Sequence, residues 1–254
     1  RQMCIRDRIG TELAVILYFR HDIIRILGAW FGSLFGKEGK DFKSRMGAHN
    51  RDTQMGWFII IGTLPILIAG LLFKDAIEST LRNLWITVTV LIIFGILLWV
   101  VDARAKQVKT MDEMTWKDAL IFGIGQMLAL IPGVSRSGGT ITFGRAMGYT
   151  REAAVRVSFL MAIPAVFGAG ILEAVSAVKD VAAGNAGMFP GWGATIAATI
   201  VAFVVGYVVI IGFLKFVSTF SYKAFAIYRI ALAVVVALLL ICGVLHPTEV
   251  VAAA

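Results

Sequence analysis

Cysteine is almost missing from this chain of 254 residues: Cys4 and Cys242 lie near opposite ends. That excludes a disulfide framework and a cysteine-rich zinc site. Charge is equally thin, with 16% Asp, Glu, Lys and Arg against 59% hydrophobic residues, where soluble domains run at about 25% and 45–50%. A soluble enzyme and a disordered chain both fall to those numbers. Five prolines without a period exclude a fibrous chain. The mean hydropathy of +0.84 and net charge of +8 then fit a polytopic membrane protein whose basic loops face an anionic leaflet, and no nucleic-acid partner is expected.

A helix needs about 20 apolar residues to cross the ~30 Å hydrocarbon layer. Four segments qualify. Residues 55–73 and 83–101 are 19 residues each without a charge, and 192–214 is 23. Residues 224–245 carry one charge in 22, Arg229. A fifth helix is predicted from Arg151 to about Val178, with Thr150 as its N-cap and Glu152 complementing its dipole. The whole chain reads as a single integral membrane domain.

The start of the chain departs from this pattern. Residues 9–19 are apolar but few, and RQMCIRDR before them carries four charges in eight residues. No initiator Met and no signal-peptide pattern is present. Residues 1–8 are therefore expected to be non-native, with the first helix of the parent protein cut.

Loop charge sets the orientation. Lys and Arg number seven in residues 20–54, four in 102–117 and two in 215–223, against two in 74–82 and none in 180–191 or 244–254. Positive loops stay cytoplasmic, so a helix from 9 to about 27 enters from outside and the C-terminus is external. The scheme closes only if residues 118–150 return to the side they entered from. Residues 119–131 are apolar but stopped by Pro132-Gly133, and 141–147 is a second short half. The pair is predicted to be a re-entrant helical hairpin, with its second half starting near Thr140. Irregular backbone at membrane depth is tolerated where it is buried in protein or lines a wet cavity, and broken helices commonly mark functional sites.

The tip, Gly133 to Thr140, holds the hydroxyls of Ser135, Ser137 and Thr140, the cation Arg136, and the glycines Gly133, Gly138 and Gly139. Arginine's fork matches phosphate oxygens bidentately. Glycines let backbone N–H groups form an anion-binding concavity, and a helix N-terminus aimed there adds to it. A phosphate or diphosphate is the natural ligand. A snorkelling Arg136 with glycines that serve only packing is the bland alternative.

Other residues carry less. Glu12 reads as a ligand, a base or a hydrogen-bonding helix residue, and Gln126 as a support for the tip or a satisfied core amide. Arg145, Arg151 and Arg156 read as positive-inside anchors, and Glu173 as reaching interfacial water. Tyr228-Arg229 suits contact with the hairpin and snorkelling equally. His21, His49 and His246 lie away from the tip in this topology.

The tip and its surroundings resemble the undecaprenyl-diphosphate phosphatase family, associated with bacitracin resistance. The likeness rests on Asp118-Ala119-Leu120 through Gly125-Gln126, on Ala129 through Thr140 with its P-G-x-S-R-S-x-x-T pattern, and on Gly148 through Ala154. Ser158 through Ala165 and Phe225 through Arg229 extend it. The resemblance implies hydrolysis of undecaprenyl diphosphate to the monophosphate carrier of peptidoglycan precursors. It implies an all-α inverted-repeat bundle of about six transmembrane helices with re-entrant hairpins, in the bacterial inner membrane, with the site opening to the outer face. Carried over, Arg136 clamps the diphosphate; Ser135 and Ser137 stand beside it as catalytic candidates. Gly133, Gly138, Gly139, Thr140 and Gln126 are the substrate-binding candidates. The expected partners are the polyprenyl diphosphate lipid, the bilayer and a second copy of the chain in a homodimer.

Family members also carry an earlier hairpin with an E-x-x-x-E glutamate pair and a P-x-S-S-x-x-H stretch, and nothing in residues 1–8 matches it. The divalent cation (Mg or Ca) expected for the full-length parent therefore has no ligands in this chain. Low turnover is expected of the chain as it stands. Two competitors remain on paper. A polyprenyl-phosphate flippase or transporter suits the same hairpin and arginine. Lipid phosphatases with a histidine nucleophile place a histidine several residues after a Ser-Arg pair; here Ser135-Arg136 is followed by Ser-Gly-Gly-Thr-Ile-Thr-Phe-Gly, which excludes that class.

Overall fold

The computed structural model describes residues 2–37, 39, 41–73, 83–182 and 192–248. The described residues are helical, with no strand beyond an isolated bridge between Lys109 and Tyr149. In chain order the helices are α1 (Gln2–Tyr18), α2 (Arg20–Leu34), α3 (Phe42–Arg45), α4 (Arg51–Leu72), α5 (Leu84–Arg104), α6 (Trp116–Met127), α7 (Arg136–Ala146), α8 (Arg151–Ala182), α9 (Trp192–Thr219) and α10 (Lys223–Ile241). Four of them are long and apolar enough to cross a membrane: α4, α5, most of α9 (Ile196–Val217) and α10. They coincide with the four long apolar runs of the sequence. The chain is an all-α, multi-pass membrane protein.

The chain divides into two compact units, Arg1–Trp57 with Phe159–Phe216, and Phe58–Ser158 with Val217–Ala254. In the first, the single helix expected from 9 to about 27 is instead a near-continuous pair. α1 and α2 meet at Phe19, whose backbone sits at φ −90°, ψ 12°. Helical hydrogen bonds continue on both sides, Phe19 N–H to Val15 and Ile23 N–H to Phe19, each 2.9 Å. The Phe19 ring is buried and stacks on Phe159 at 5.7 Å, so packing holds the local departure in place. Gly10 lies against the backbone of Thr199 and Phe203, where a Cβ would collide.

The second unit carries the hairpin. α5 and α10 form its frame around Val88, Ala233 and Leu240, with Leu91, Ile92, Val236 and Ala237 packed on them. Lipid tails are as apolar as these side chains, so close packing rather than hydrophobicity holds such helices together. Glycine supplies the close approach: a Cβ on Gly95 would stand 3.0 Å from Ile230, and one on Gly123 would run into the carbonyl oxygen of Gly62. Asn83 caps α5 by accepting from the Trp85 N–H at 2.9 Å, and Thr150 caps α8 by accepting from the Ala153 N–H at 3.2 Å.

Candidate active site

The hairpin begins at a reciprocal cap. The Thr115 hydroxyl accepts from the Asp118 N–H at 3.3 Å while Asp118 accepts from the Thr115 N–H at 3.0 Å, fixing the start of α6. α6 has 12 residues and α7 has 11, so each is about 16–18 Å long and falls short of the ~30 Å layer. The ends meet again at the mouth. The Val108 and Lys109 N–H groups both donate to the Gly148 carbonyl at 3.0 Å, and the Thr150 N–H donates to Lys109 at 2.9 Å. The buried Tyr149 hydroxyl donates to Asp118 at 2.9 Å. Burial first, and then the Asp118 carboxylate, push the Tyr149 phenol well above its ordinary range. Asp118 itself lies below the ordinary carboxylate value: burial raises it, but hydrogen bonds from Thr115 and Tyr149 and the charge of Lys109 outweigh that.

Between the halves the chain runs through a 3-10 turn at Leu128–Leu130, then Ile131, Pro132 and Gly133 at φ +100°. A Cβ on Gly133 would stand 2.8 Å from the Thr87 carbonyl oxygen, so both conformation and space call for glycine. Ser135 follows at φ +64°, ψ 124°, a backbone region that costs a non-glycine residue about 1–3 kcal/mol and gathers at functional sites. Its hydroxyl is the N-cap of α7, accepting from the Gly138 N–H at 3.4 Å.

That cap corrects one expectation. The second half-helix starts at Arg136, not near Thr140, because Ser135 satisfies a first-turn N–H and Gly139 packs directly on the backbone of α6 at Gly125. Arg136, Ser137, Gly138, Gly139 and Thr140 thus occupy the first turns of a helix rather than a loop. Ser135 is exposed at the tip, and Arg136, Ser137 and Gly138 are half-buried. Thr140 is buried and donates its hydroxyl proton to the Arg136 carbonyl at 2.7 Å. Gln126, on α6, is 0% exposed, and neither its amide nitrogen nor its oxygen has a partner among the described residues. It is not the satisfied core amide of the alternative reading.

One residue without a firm role in the sequence, Arg229, builds the tip. Arg229 on α10 donates from Nη1 to the Val134 carbonyl at 2.9 Å and from Nη2 to the Gly133 carbonyl. Turn carbonyls left open by the Pro-Gly break are thereby satisfied by a charged donor from another helix, which decides for hairpin contact over snorkelling. Its neighbour Tyr228 is exposed. At the mouth, Asp102 is buried among donors. Its Oδ1 accepts from Arg145 Nε at 2.8 Å and Arg151 Nε at 3.0 Å, while Oδ2 accepts from Arg151 Nη2 at 3.0 Å and the Tyr222 N–H at 3.1 Å. Arg145, expected as a positive-inside anchor, is instead 0% exposed, since a guanidinium paired with Asp102 and bonded to the Tyr149 carbonyl tolerates removal from water. Arg156 does lie at the surface, in an i,i+4 pair with Glu152 at 3.4 Å. Burial and then Asp102 raise the Tyr222 phenol. A single carboxylate at the end of an apolar run is the only signal of this cluster that the sequence offers.

The remaining candidates lie elsewhere. Glu12 is half-buried on α1 in the other unit, and His21, His49 and His246 are exposed. The Glu173 side chain lies outside the described residues. Among the described residues no group of three His, Cys, Asp or Glu gathers, so the residues described do not fit a divalent cation.

Residues 4–235 match the family described as bacitracin resistance protein BacA. The chain is 76% identical over 242 residues to a protein named undecaprenyl-diphosphatase from Bifidobacterium animalis subsp. lactis, covering 95% of this chain and 81% of the relative. It is 71% identical over 238 residues to one of the same name from Bifidobacterium longum subsp. infantis (94% and 80%), and 52% identical over 233 residues to one from Paenarthrobacter aurescens (92% and 80%). With a family match across most of its length, and a Pro-Gly hairpin tip held by Arg229, the chain belongs to the bacitracin resistance protein BacA family.

Proposed function

We propose that this protein hydrolyses undecaprenyl diphosphate to undecaprenyl phosphate and inorganic phosphate, the activity its relatives are named for. The observation that carries the site is the tip of the hairpin, where Arg136 stands in the first turn of α7 beside an exposed Ser135 on strained backbone. Phosphoryl transfer asks the protein chiefly for positioning and neutralisation of charge. Arg136 supplies a guanidinium that pairs with two phosphate oxygens at once, and the N-terminus of α7 adds its dipole and first-turn N–H groups. Ser135 and Ser137 supply hydroxyls beside them. Gly133, Gly138 and Gly139 let Thr87, Arg229 and the α6 backbone close in around the tip. Thr140 acts by holding the first turn through its bond to Arg136, and Gln126 has unspent hydrogen-bonding capacity close behind the tip.

The reading extends to the bacterial inner membrane with the site open to the outer face, supported by the basic loops on the opposite side. It extends also to a divalent cation held by an N-terminal hairpin of the family's kind, and to a homodimer, which light scattering of the solubilised protein tests. Phosphate release from undecaprenyl diphosphate in detergent with Mg or Ca tests the activity. The chain, a form extended with such a hairpin, and that form with Arg136→Ala are compared. Release by the extended form, lost with Arg136→Ala, is expected. An inert extended form that still moves lipid phosphate across vesicles overturns the phosphatase in favour of a flippase.

A further inference from the structure

Two helices converge on the tip from one point. α7 runs from Arg136 at the tip to Arg145 near the mouth, nine residues or about 13.5 Å along its axis. α10 starts beside Tyr222 and carries Arg229 seven residues further on, about 10.5 Å along its own axis. At the far ends they meet, because Arg229 grips the Gly133 and Val134 carbonyls that lead into α7. At the near ends both are held by the same carboxylate, since Asp102 accepts from Arg145 on α7 and from the Tyr222 N–H that opens α10. Arg151, at the start of α8, closes the group from a third side with a fork onto both oxygens.

We infer that Asp102 is a positioning residue for the tip: one buried carboxylate ties the base of the tip-bearing helix to the base of the helix whose Arg229 shapes the tip. This rests on the reading of the tip as the diphosphate site. Asp102 touches no substrate. Its role is to close a triangle of two helical sides and an Arg229 vertex, which fixes how α7, and with it Arg136, is presented against α10. Four N–H donors on one carboxylate also explain why an acid sits at the end of an otherwise apolar span, where an unpaired charge is expensive. If the carboxylate is lost, the two bases separate, and a misplacement of about 1 Å at a reacting centre costs up to 100-fold.

The test is a double-mutant cycle in the N-terminally extended form, reading affinity for imidodiphosphate, a diphosphate that resists hydrolysis, by titration calorimetry. Asp102→Asn and Arg229→Lys are measured singly and together, with thermal unfolding in detergent recorded for each. Each single change is expected to weaken binding about tenfold or more. Because both act through one geometry, the double variant is expected to be no weaker than the worse single one. Losses that multiply indicate independent effects and overturn the inference, as does unchanged affinity in a folded Asp102→Asn. Removing one partner of a buried pair endangers folding, so Arg151→Lys, which keeps the charge and loses the fork, runs through the same cycle and decides where Asp102→Asn does not fold. Failure of the extended form to release phosphate from undecaprenyl diphosphate sinks the phosphatase reading alone, since the imidodiphosphate cycle still decides the role of Asp102. Absence of imidodiphosphate binding overturns both.

Discussion

Replacing Gly138 by alanine sets two effects of similar size against each other. An alanine in a helix is favoured over glycine by about 1 kcal/mol, so in open surroundings the change stabilises. Gly138 is not in open surroundings: its added Cβ would stand 2.7 Å from Nη1 of Arg229. Ordinary contact begins near 3.4 Å, so the guanidinium must retreat by about 0.7 Å, a distance that side chains ordinarily yield easily. Here that nitrogen is already bonded to the Val134 carbonyl at 2.9 Å. The same retreat along that line stretches the bond to about 3.6 Å, which is no longer a hydrogen bond. A charged hydrogen bond contributes about 1.5–3 kcal/mol, so Gly138→Ala is expected to be a net loss of about 0.5–2 kcal/mol, concentrated at the tip. Thermal unfolding in detergent and phosphate release by the extended form are read together, with turnover falling about 10- to 100-fold. Gly212→Ala on α9, where a Cβ meets nothing within 4 Å, is the control and is expected to be neutral or stabilising. A Gly138→Ala protein that melts higher and turns over normally would refute the reasoning, since the Arg229 grip would then be irrelevant to the site.

Gly133→Ala combines a forbidding φ of +100° with a Cβ 2.8 Å from the Thr87 carbonyl; a loss of about 2 kcal/mol or more is expected in thermal unfolding. Tyr149→Phe removes the hydroxyl that Asp118 accepts at 2.9 Å, and a drop of about 1–2 kcal/mol is expected, smaller than for Gly133→Ala. Asp118 also predicts a pH dependence. Its folded carboxyl lies below the ordinary value, about 3.9, so its contribution is complete above that pH and is lost as acid takes the medium down through the folded value. Unfolding temperature is expected to fall below about pH 4 in the wild type and to fall less in Asp118→Asn; equal acid slopes would count against the pairing.

How much of this was legible depends on the range over which each force acts. Spans are legible because a bilayer demands a run of about 20 apolar residues, and the long apolar runs reappear as α4, α5, α9 and α10. The hairpin is legible for a similar reason, since Pro132-Gly133 interrupts a run too short to cross. Its inner boundary lies four residues earlier than composition suggests, because Ser-Arg-Ser-Gly-Gly has the composition of a loop. A serine cap and a glycine-on-glycine contact with α6 turn it into helix, and neither shows in local propensity. Arg145 and Asp102 are 43 residues apart, and Arg229 is 95 from Val134. A single sequence records that such charges exist, not that they meet, so Arg145 looked like an anchor and Asp102 like nothing in particular.

The grip of Arg229 on the tip has a consequence for how the protein is made. The hairpin closes on itself through bonds between residues 102–118 and 145–151, so it can assemble as soon as that stretch has left the ribosome. The Gly133 and Val134 carbonyls cannot be satisfied then, because their partner lies 95 residues downstream. At 5–20 residues per second that is a wait of roughly 5–20 s. The tip is therefore finished by α10, far down the chain, and a nascent chain stopped short of α10 holds a folded hairpin with an unfinished tip.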